Sequence, residues 1–279
     1  MFQNCKKLTN SCNLPATTLA NYCYDNMFYG CTSLTTCGTI SATSGVIGSC
    51  SRMFQNCTSL TIPPTLNFTS VGEECCMLMF YNCTSLLTAP ELNATTLGIN
   101  CYNNMFYNCN SLTVSPELPA IAVPNRAYYQ MFLNCSSLTS MGEMKAVILG
   151  TESCYQMFNG CSNLTGSITI NATDLEEDCF RGAFASTKIT SATLLATTLA
   201  NRCYWYIFQN CQYLTSIRVN FTDWSNASAA DPTYGWCSYS QSTPFSSTGT
   251  FYKPSSLSEE YGVNRIPTGW NVNNSSSSE

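Results

Sequence analysis

TTLANYCYDNMFYGCTSLTTCGTISA, residues 17–42, holds one full period of a pattern that runs through most of the chain. Its Met27-Phe28 pair recurs as Met1-Phe2, Met53-Phe54, Met79-Phe80, Met105-Phe106, Met131-Phe132 and Met157-Phe158, each 26 residues from the last. Ala183-Phe184 keeps the register, and Ile207-Phe208 follows 24 residues later. A fixed period of this length is the mark of a solenoid, in which each repeat is one coil and buries its apolar side against its neighbours.

Within the quoted unit, Leu19, Cys23, Met27 and Cys31 are spaced by four. This spacing predicts a short helix with one slanted apolar stripe. The helix is expected to begin after Thr17 or Thr18, whose hydroxyls can cap free N–H groups, and to end near Tyr29. Gly30 follows, and its equivalents are Asn4, Asn56, Asn82, Asn108, Asn134, Gly160 and Asn210, with Ser186 the exception. Gly and Asn accept a left-handed backbone with least strain, as a helix end commonly needs. Next come a Leu column (Leu8, Leu34, Leu60, Leu86, Leu112, Leu138, Leu164, Leu214) and a Thr column (Thr9, Thr35, Thr61, Thr113, Thr139, Thr165, Thr215). This alternation predicts a short half-buried strand. Pro63-Pro64, Pro90 and Pro116 sit at the strand exits, where a missing N–H costs least.

The expected fold is therefore an α/β solenoid with leucine-rich-repeat-like coils. Each coil has one short strand plus one short helix, the strands stack into a parallel sheet, and a cap closes the C-terminus. Residues 1–217 form the repeat solenoid of about nine 26-residue coils, 218–272 the capping segment and 273–279 a disordered polar tail. Trp205, Trp224, Trp236 and Trp270 all lie toward that end and suit a cover. The Ala183 repeat lacks the Met, the Cys and the Gly/Asn, and is read as a kink or bend. The first coil has no cover, so the chain is read as a fragment, or its first coil packs on something else.

Composition narrows the function. Charged residues make up 10% of the chain and the formal charge is −5, so a nucleic-acid partner is not expected. Histidine is absent, which removes His-based triads, His general bases and Cys/His zinc sites. No apolar stretch is long enough for a membrane span. Of the 19 cysteines, all but Cys12, Cys37 and Cys237 fall in the columns of the repeat, and there is no Cys-x-x-Cys pair. They are read chiefly as buried free thiols, with disulfides between stacked coils the alternative. No catalytic, cofactor-binding or metal-binding residues are expected.

The unit ATTLANxCYxxMFxxCxSLTxxPEL is visible in 16–35, 94–118 and 196–216, and it resembles the BspA-type leucine-rich-repeat surface proteins. Gly249-Thr250-Phe251 and the run Ile266-Pro267-Thr268-Gly269-Trp270 look like the end of such domains. The resemblance covers nearly the whole chain. It implies an extracellular, cell-surface or virion-surface location and adhesion to host proteins or surfaces, and it carries over no catalytic residue.

Three sets of side chains are candidate binding surfaces. Glu91, Glu117 and Glu143 share one repeat position and would stack into an acidic strip, either a solvated face or a contact for a ligand or Ca²⁺. Tyr24, Tyr102, Tyr128 and Tyr204 lie three residues before the Met register, and Tyr29, Tyr81 and Tyr107 two after it. Both columns suit protein or sugar recognition, with sideways packing between neighbouring coils the plainer alternative. The run Asp174-Leu175-Glu176-Glu177-Asp178 reads as an acidic helix start. The function expected is a non-enzymatic recognition or adhesion module for protein or glycan partners. The alternative is a structural part of a virion fibre, decoration or surface assembly, with self-association through the uncovered first coil.

Overall fold

The structure is a computed structural model that describes residues 1–225, 231–240, 243–244 and 248–275. Successive 26-residue units stack as coils. We number the coils by their phenylalanines: Phe2 (coil 1), Phe28, Phe54, Phe80, Phe106, Phe132, Phe158, Phe184 and Phe208 (coil 9). Strands β1 (Ser44–Gly45), β2 (Ser70–Val71) and β3 (Thr96–Leu97) form one parallel sheet, and β4 (Ala122–Val123) and β5 (Ile148–Leu149) another. The Leu-Thr segments pair as single parallel bridges in the early coils, Asn10 with Thr36 with Ile62 and Leu14 with Ile40 with Leu66. From coil 7 they lengthen into β6 (Thr165–Ile170), β7 (Lys188–Leu194) and β8 (Ser216–Val219). The expected parallel stacking of strands is present, but regular strand is short until coil 7.

The expected helix is not formed, and among the described residues there is no helix at all. Its place is taken by an arm of tandem four-residue turns. In coil 5, Cys101, Asn103, Met105, Tyr107 and Cys109 each donate a backbone N–H to the residue three before, at 3.0–3.3 Å. The intervening Tyr102, Asn104, Phe106 and Asn108 donate to Ala127, Tyr129, Met131 and Leu133 of coil 6, at 2.8–3.0 Å. Successive donors thus alternate between their own turn and the next coil, and the other coils repeat this. A helix would keep every donor inside its own segment. Every fourth residue has positive φ, for example Asn100 (56°), Asn104 (54°) and Asn108 (57°). That breaks a helix at each step.

The reason lies in the period. In a helix, residues four apart drift by roughly 40° per step, so the Leu19-Cys23-Met27-Cys31 stripe would turn away from the core. In tandem turns of four there is no drift. Burial follows suit: Cys101-Tyr102 and Met105-Phe106 are buried, and Asn103-Asn104 and Tyr107-Asn108 half-buried between and after them. Two adjacent residues in and two out is neither a helical nor a strand pattern.

Ladders of like residues fill the core. Eight phenylalanine rings from Phe2 to Phe184 stack with centroids 5.1–5.5 Å apart. Such contacts contribute about 0.5–1.5 kcal/mol each beyond area burial. Beside them, Cys31, Cys57, Cys83, Cys109, Cys135 and Cys161 each donate a thiol S–H to the phenylalanine carbonyl of the preceding coil, at 2.9–3.2 Å. All nineteen cysteines are free thiols, and all but Cys5, Cys12, Cys23 and Cys37 are buried. Burial pushes the Cys57 and Cys135 thiols up to about 12. At coil 8 Thr187 takes the cysteine's place and donates to its own coil's Phe184 carbonyl at 2.8 Å. The Phe184–Phe208 pair then opens to 6.4 Å and tilts by 34°.

At the C-terminal end β11 (Thr250–Pro254) adds to β8 in parallel, and β12 (Asn271–Ser275) adds to β11. This extends the sheet to the order β12-β11-β8-β7-β6. β12 includes Asn273–Ser275 from the stretch expected to be a disordered tail; 276–279 lie outside the described residues. A short antiparallel pair, β9 (Ser238–Ser240) and β10 (Thr243–Pro244), sits beside this. Trp236 covers Phe208 at 6.5 Å and packs edge-on to Trp224 and Phe251. Arg265 ties the segment together, donating to Asp231, Thr233 and Glu260 and lying 5.5 Å over the Trp224 ring. Trp205 lies on the outer side of the arm, away from the Trp224 and Trp236 rings, and donates its indole N–H to the Asp231 carbonyl.

Candidate functional site

The tandem turns leave two half-buried residue pairs per coil on the outer side of the arm, so side chains at equivalent positions line up from coil to coil. Tyr81 and Tyr107 stack at 4.6 Å. Tyr29 does not join them, because Gln55 occupies the intervening coil. A second column, two residues before the Met register, joins unlike residues that the sequence reading did not connect. Tyr129 stacks on Tyr155 at 4.9 Å. The Arg181 guanidinium follows, 5.7 Å from the Tyr155 ring centre and 5.0 Å from that of Trp205. Tyr206 and Tyr234 meet Trp205 at 6.2 and 5.3 Å and close the strip. Burial raises the Tyr129 and Tyr206 hydroxyls above their ordinary value.

Charges flank this strip, three residues before it on the chain. Arg126 pairs with Glu152. Arg202 grips Asp178 through Nε at 3.1 and 3.0 Å and Nη2 at 2.6 Å, and also pairs with Glu177 at 2.6 Å. Arg181 adds a longer contact to Asp178 at 3.6 Å. Asp178 is buried, and its carboxylate holds the Arg202 guanidinium above its ordinary value. Instead of starting a helix, the acidic run supplies Glu177 and Asp178 to this ion-pair ladder.

Tyr102, Tyr128 and Tyr204 are core residues, exposed by 2%, 1% and 0%. Burial raises their hydroxyls well above the ordinary value. Tyr102 and Tyr128 stack at 6.2 Å. Tyr24 is half-buried in coil 2 and packs against the same core. This column therefore makes no surface beyond Tyr24.

Glu91, Glu117 and Glu143 are exposed, in three successive coils. Glu143 pairs with Lys145 at 3.6 Å. Glu91 and Glu117 instead line a cleft of about 460 Å³ with Ala89, Pro90, Leu92, Asn93, Pro116 and Pro119. Among the described residues no group of three or more Cys, Asp or Glu is placed to hold a metal ion. Nor is any helix there long and apolar enough to cross a membrane.

No curated protein matches the chain. Among solved structures, a leucine rich cell surface protein from Faecalibacterium prausnitzii A2-165 is 18% identical, with 99% of this chain and 82% of that one covered and a TM-score of 0.42. A leucine-rich repeat protein from Bacteroides ovatus ATCC 8483 is 14% identical, covering 98% and 85%, with a TM-score of 0.28. The BspA type leucine rich repeat region matches in 6 copies, over residues 1–113, 68–183 and 130–230. With that match spanning the repeats from the first coil through the ninth, the chain belongs to the BspA-type leucine-rich-repeat family.

Proposed function

We propose that the chain is a non-enzymatic surface recognition module that binds protein or glycan partners through the outer side of its turn arms. The observation that carries this reading is the half-buried Tyr129–Tyr155–Arg181–Trp205 strip. Tyr, Trp and Arg are the side chains that dominate binding energy at interfaces. Here they are gathered in one strip of a chain that is rich in Ser, Thr and Asn. Tyr129 and Tyr155 stack face to face and Arg181 lies between Tyr155 and Trp205, so a partner meets ring edges, hydroxyl tips and the guanidinium rim. A rigid frame holds them in place, which lowers the ordering cost of binding. An extracellular or cell-surface location accords with the family resemblance.

The test is an array of purified matrix proteins and surface glycans probed with the full chain. Saturable binding to at least one spot is expected. Arg181→Ala or Trp205→Ala should weaken it by about 30-fold, the effect of losing a 2 kcal/mol hot spot. An array with no spot above background would refute the recognition reading.

A further inference from the structure

The Glu91–Glu117 cleft sits at a break in the strand-side ladder of the solenoid. Coils 1–3 are joined through Asn10, Thr36 and Ile62 and through Leu14, Ile40 and Leu66, and coils 5 and 6 through Val114–Ser140 and Leu118–Met144. The equivalent segment of coil 4, residues 88–94, makes no hydrogen bond to either neighbour. Prolines explain this. Pro63 of coil 3 and Pro119 of coil 5 stand where Ser11 and Lys145 donate a backbone N–H in other coils, so two of the donors that would reach this segment are missing, and Pro64, Pro90 and Pro116 restrict the backbone around them. The segment is not frayed, because Leu92 and Ala94 are buried in the core at 5% and 2% exposure. A fixed stretch of backbone thus keeps both carbonyls and N–H groups without a ladder partner beside an open cleft, and the unpaired carbonyls are strong acceptors.

The neighbouring Phe80–Phe106 stack holds the coils 5.4 Å apart, about one strand spacing. A second strand cannot enter, and a side chain can lie only in the open mouth of the cleft. The geometry points to a socket for an arginine side chain carried by an exposed segment of a partner protein. Ala89, Pro90, Leu92, Pro116 and Pro119 sheathe its aliphatic stem. The free carbonyls of 88–94 and the Glu91 and Glu117 carboxylates, which have no ion-pair partner here, accept from the guanidinium's five N–H donors. Glu143, already paired with Lys145, lies outside the socket. This deepens the recognition reading and rests on it.

The test uses ¹⁵N-labelled full chain titrated with a Gly/Ser peptide bearing one central arginine, the same peptide with citrulline, and spermidine. Saturable amide shifts at Glu91, Leu92 and Glu117 with the arginine peptide alone are expected. Loss of two charge-assisted bonds in the Glu91→Gln, Glu117→Gln double variant should weaken binding at least about tenfold, and Glu143→Gln should leave it unchanged. Equal binding of the citrulline peptide, shifts elsewhere, or no saturation would overturn the socket. Spermidine binding as tightly as the peptide would overturn the protein-segment assignment. Array binding that depends on Arg181 or Trp205 and survives such a failure leaves the recognition reading standing.

Discussion

Replacing Phe106 by alanine removes a ring that is fully buried and stacked on both sides, 5.4 Å from Phe80 and 5.2 Å from Phe132. A buried Phe→Ala change costs about 3–5 kcal/mol. Two aromatic contacts, each worth about 0.5–1.5 kcal/mol, are part of that loss. Phe2 is half-buried with one stacking neighbour, Phe28 at 5.5 Å. Phe2→Ala should therefore cost well under half as much. The position matters beyond the size of the loss. A stack of coils has only neighbour-to-neighbour terms, so weakening the middle interface uncouples its two sides. All four tryptophans lie at the C-terminal end. Urea melts under reducing conditions, followed by tryptophan fluorescence and by far-UV circular dichroism, should coincide for the parent chain and for Phe2→Ala. For Phe106→Ala the two signals should separate, with fluorescence reporting the C-terminal half alone. Equal costs at both positions, or coincident transitions in Phe106→Ala, would show that the ring stack does not carry coil-to-coil cohesion.

Three further predictions follow from the backbone, the thiols and the cap. Leu78 holds φ at 57°, a conformation costing a non-glycine residue about 1–2 kcal/mol, so Leu78→Asn should stabilise by about 1 kcal/mol in thermal melts while Leu78→Ala should not. Burial lifts Cys57, Cys135, Cys154 and Cys203 from an ordinary value of 9.0 to about 12. Their folded values exceed the unfolded one, so their contribution is complete below pH 9 and is lost as pH rises toward 12, at about 1.4 kcal/mol per thiol per pH unit. Melting temperature should fall steeply above pH 9, less so in Cys154→Ala; a flat profile to pH 11 would refute the assignment. Arg265→Ala removes the bonds to Asp231, Thr233 and Glu260, and should cost about 2–3 kcal/mol and red-shift tryptophan emission, and an unchanged spectrum would show that Arg265 does not hold the cap.

The coil architecture is legible because the Met-Phe register and the Leu and Thr columns repeat without drift. The cysteine columns mark core for the same reason. The helix expectation failed on one detail. The Leu19-Cys23-Met27-Cys31 spacing is four throughout, and a helix of 3.6 residues per turn would carry such a column steadily off its core face. Left-handed positions recur three times per coil, but only one of the three is dominated by Asn and Gly. At the others Arg52, Leu78, Gln130 and Tyr206 conceal it. The Glu91, Glu117 and Glu143 alignment was readable, yet only the fold shows Glu143 drawn off to Lys145 and the other two sharing a cleft. The Tyr129–Tyr155–Arg181–Trp205 strip is not legible in the sequence, because its column holds chemically unlike residues that only the coil stacking brings together.

The alternation of donors along the turn arm sets a rule of even and odd. Phe184 to Phe208 is 24 residues and Phe208 to Trp236 is 28, so the two departures from 26 are both by two. One residue inserted within the arm would turn every later donor meant for the next coil back into its own turn, and send the inward ones outward. Copying a whole unit keeps the count intact, which makes duplication the natural route by which such a chain grows, while a single-codon slip in the arm would unpair that arm from the next coil.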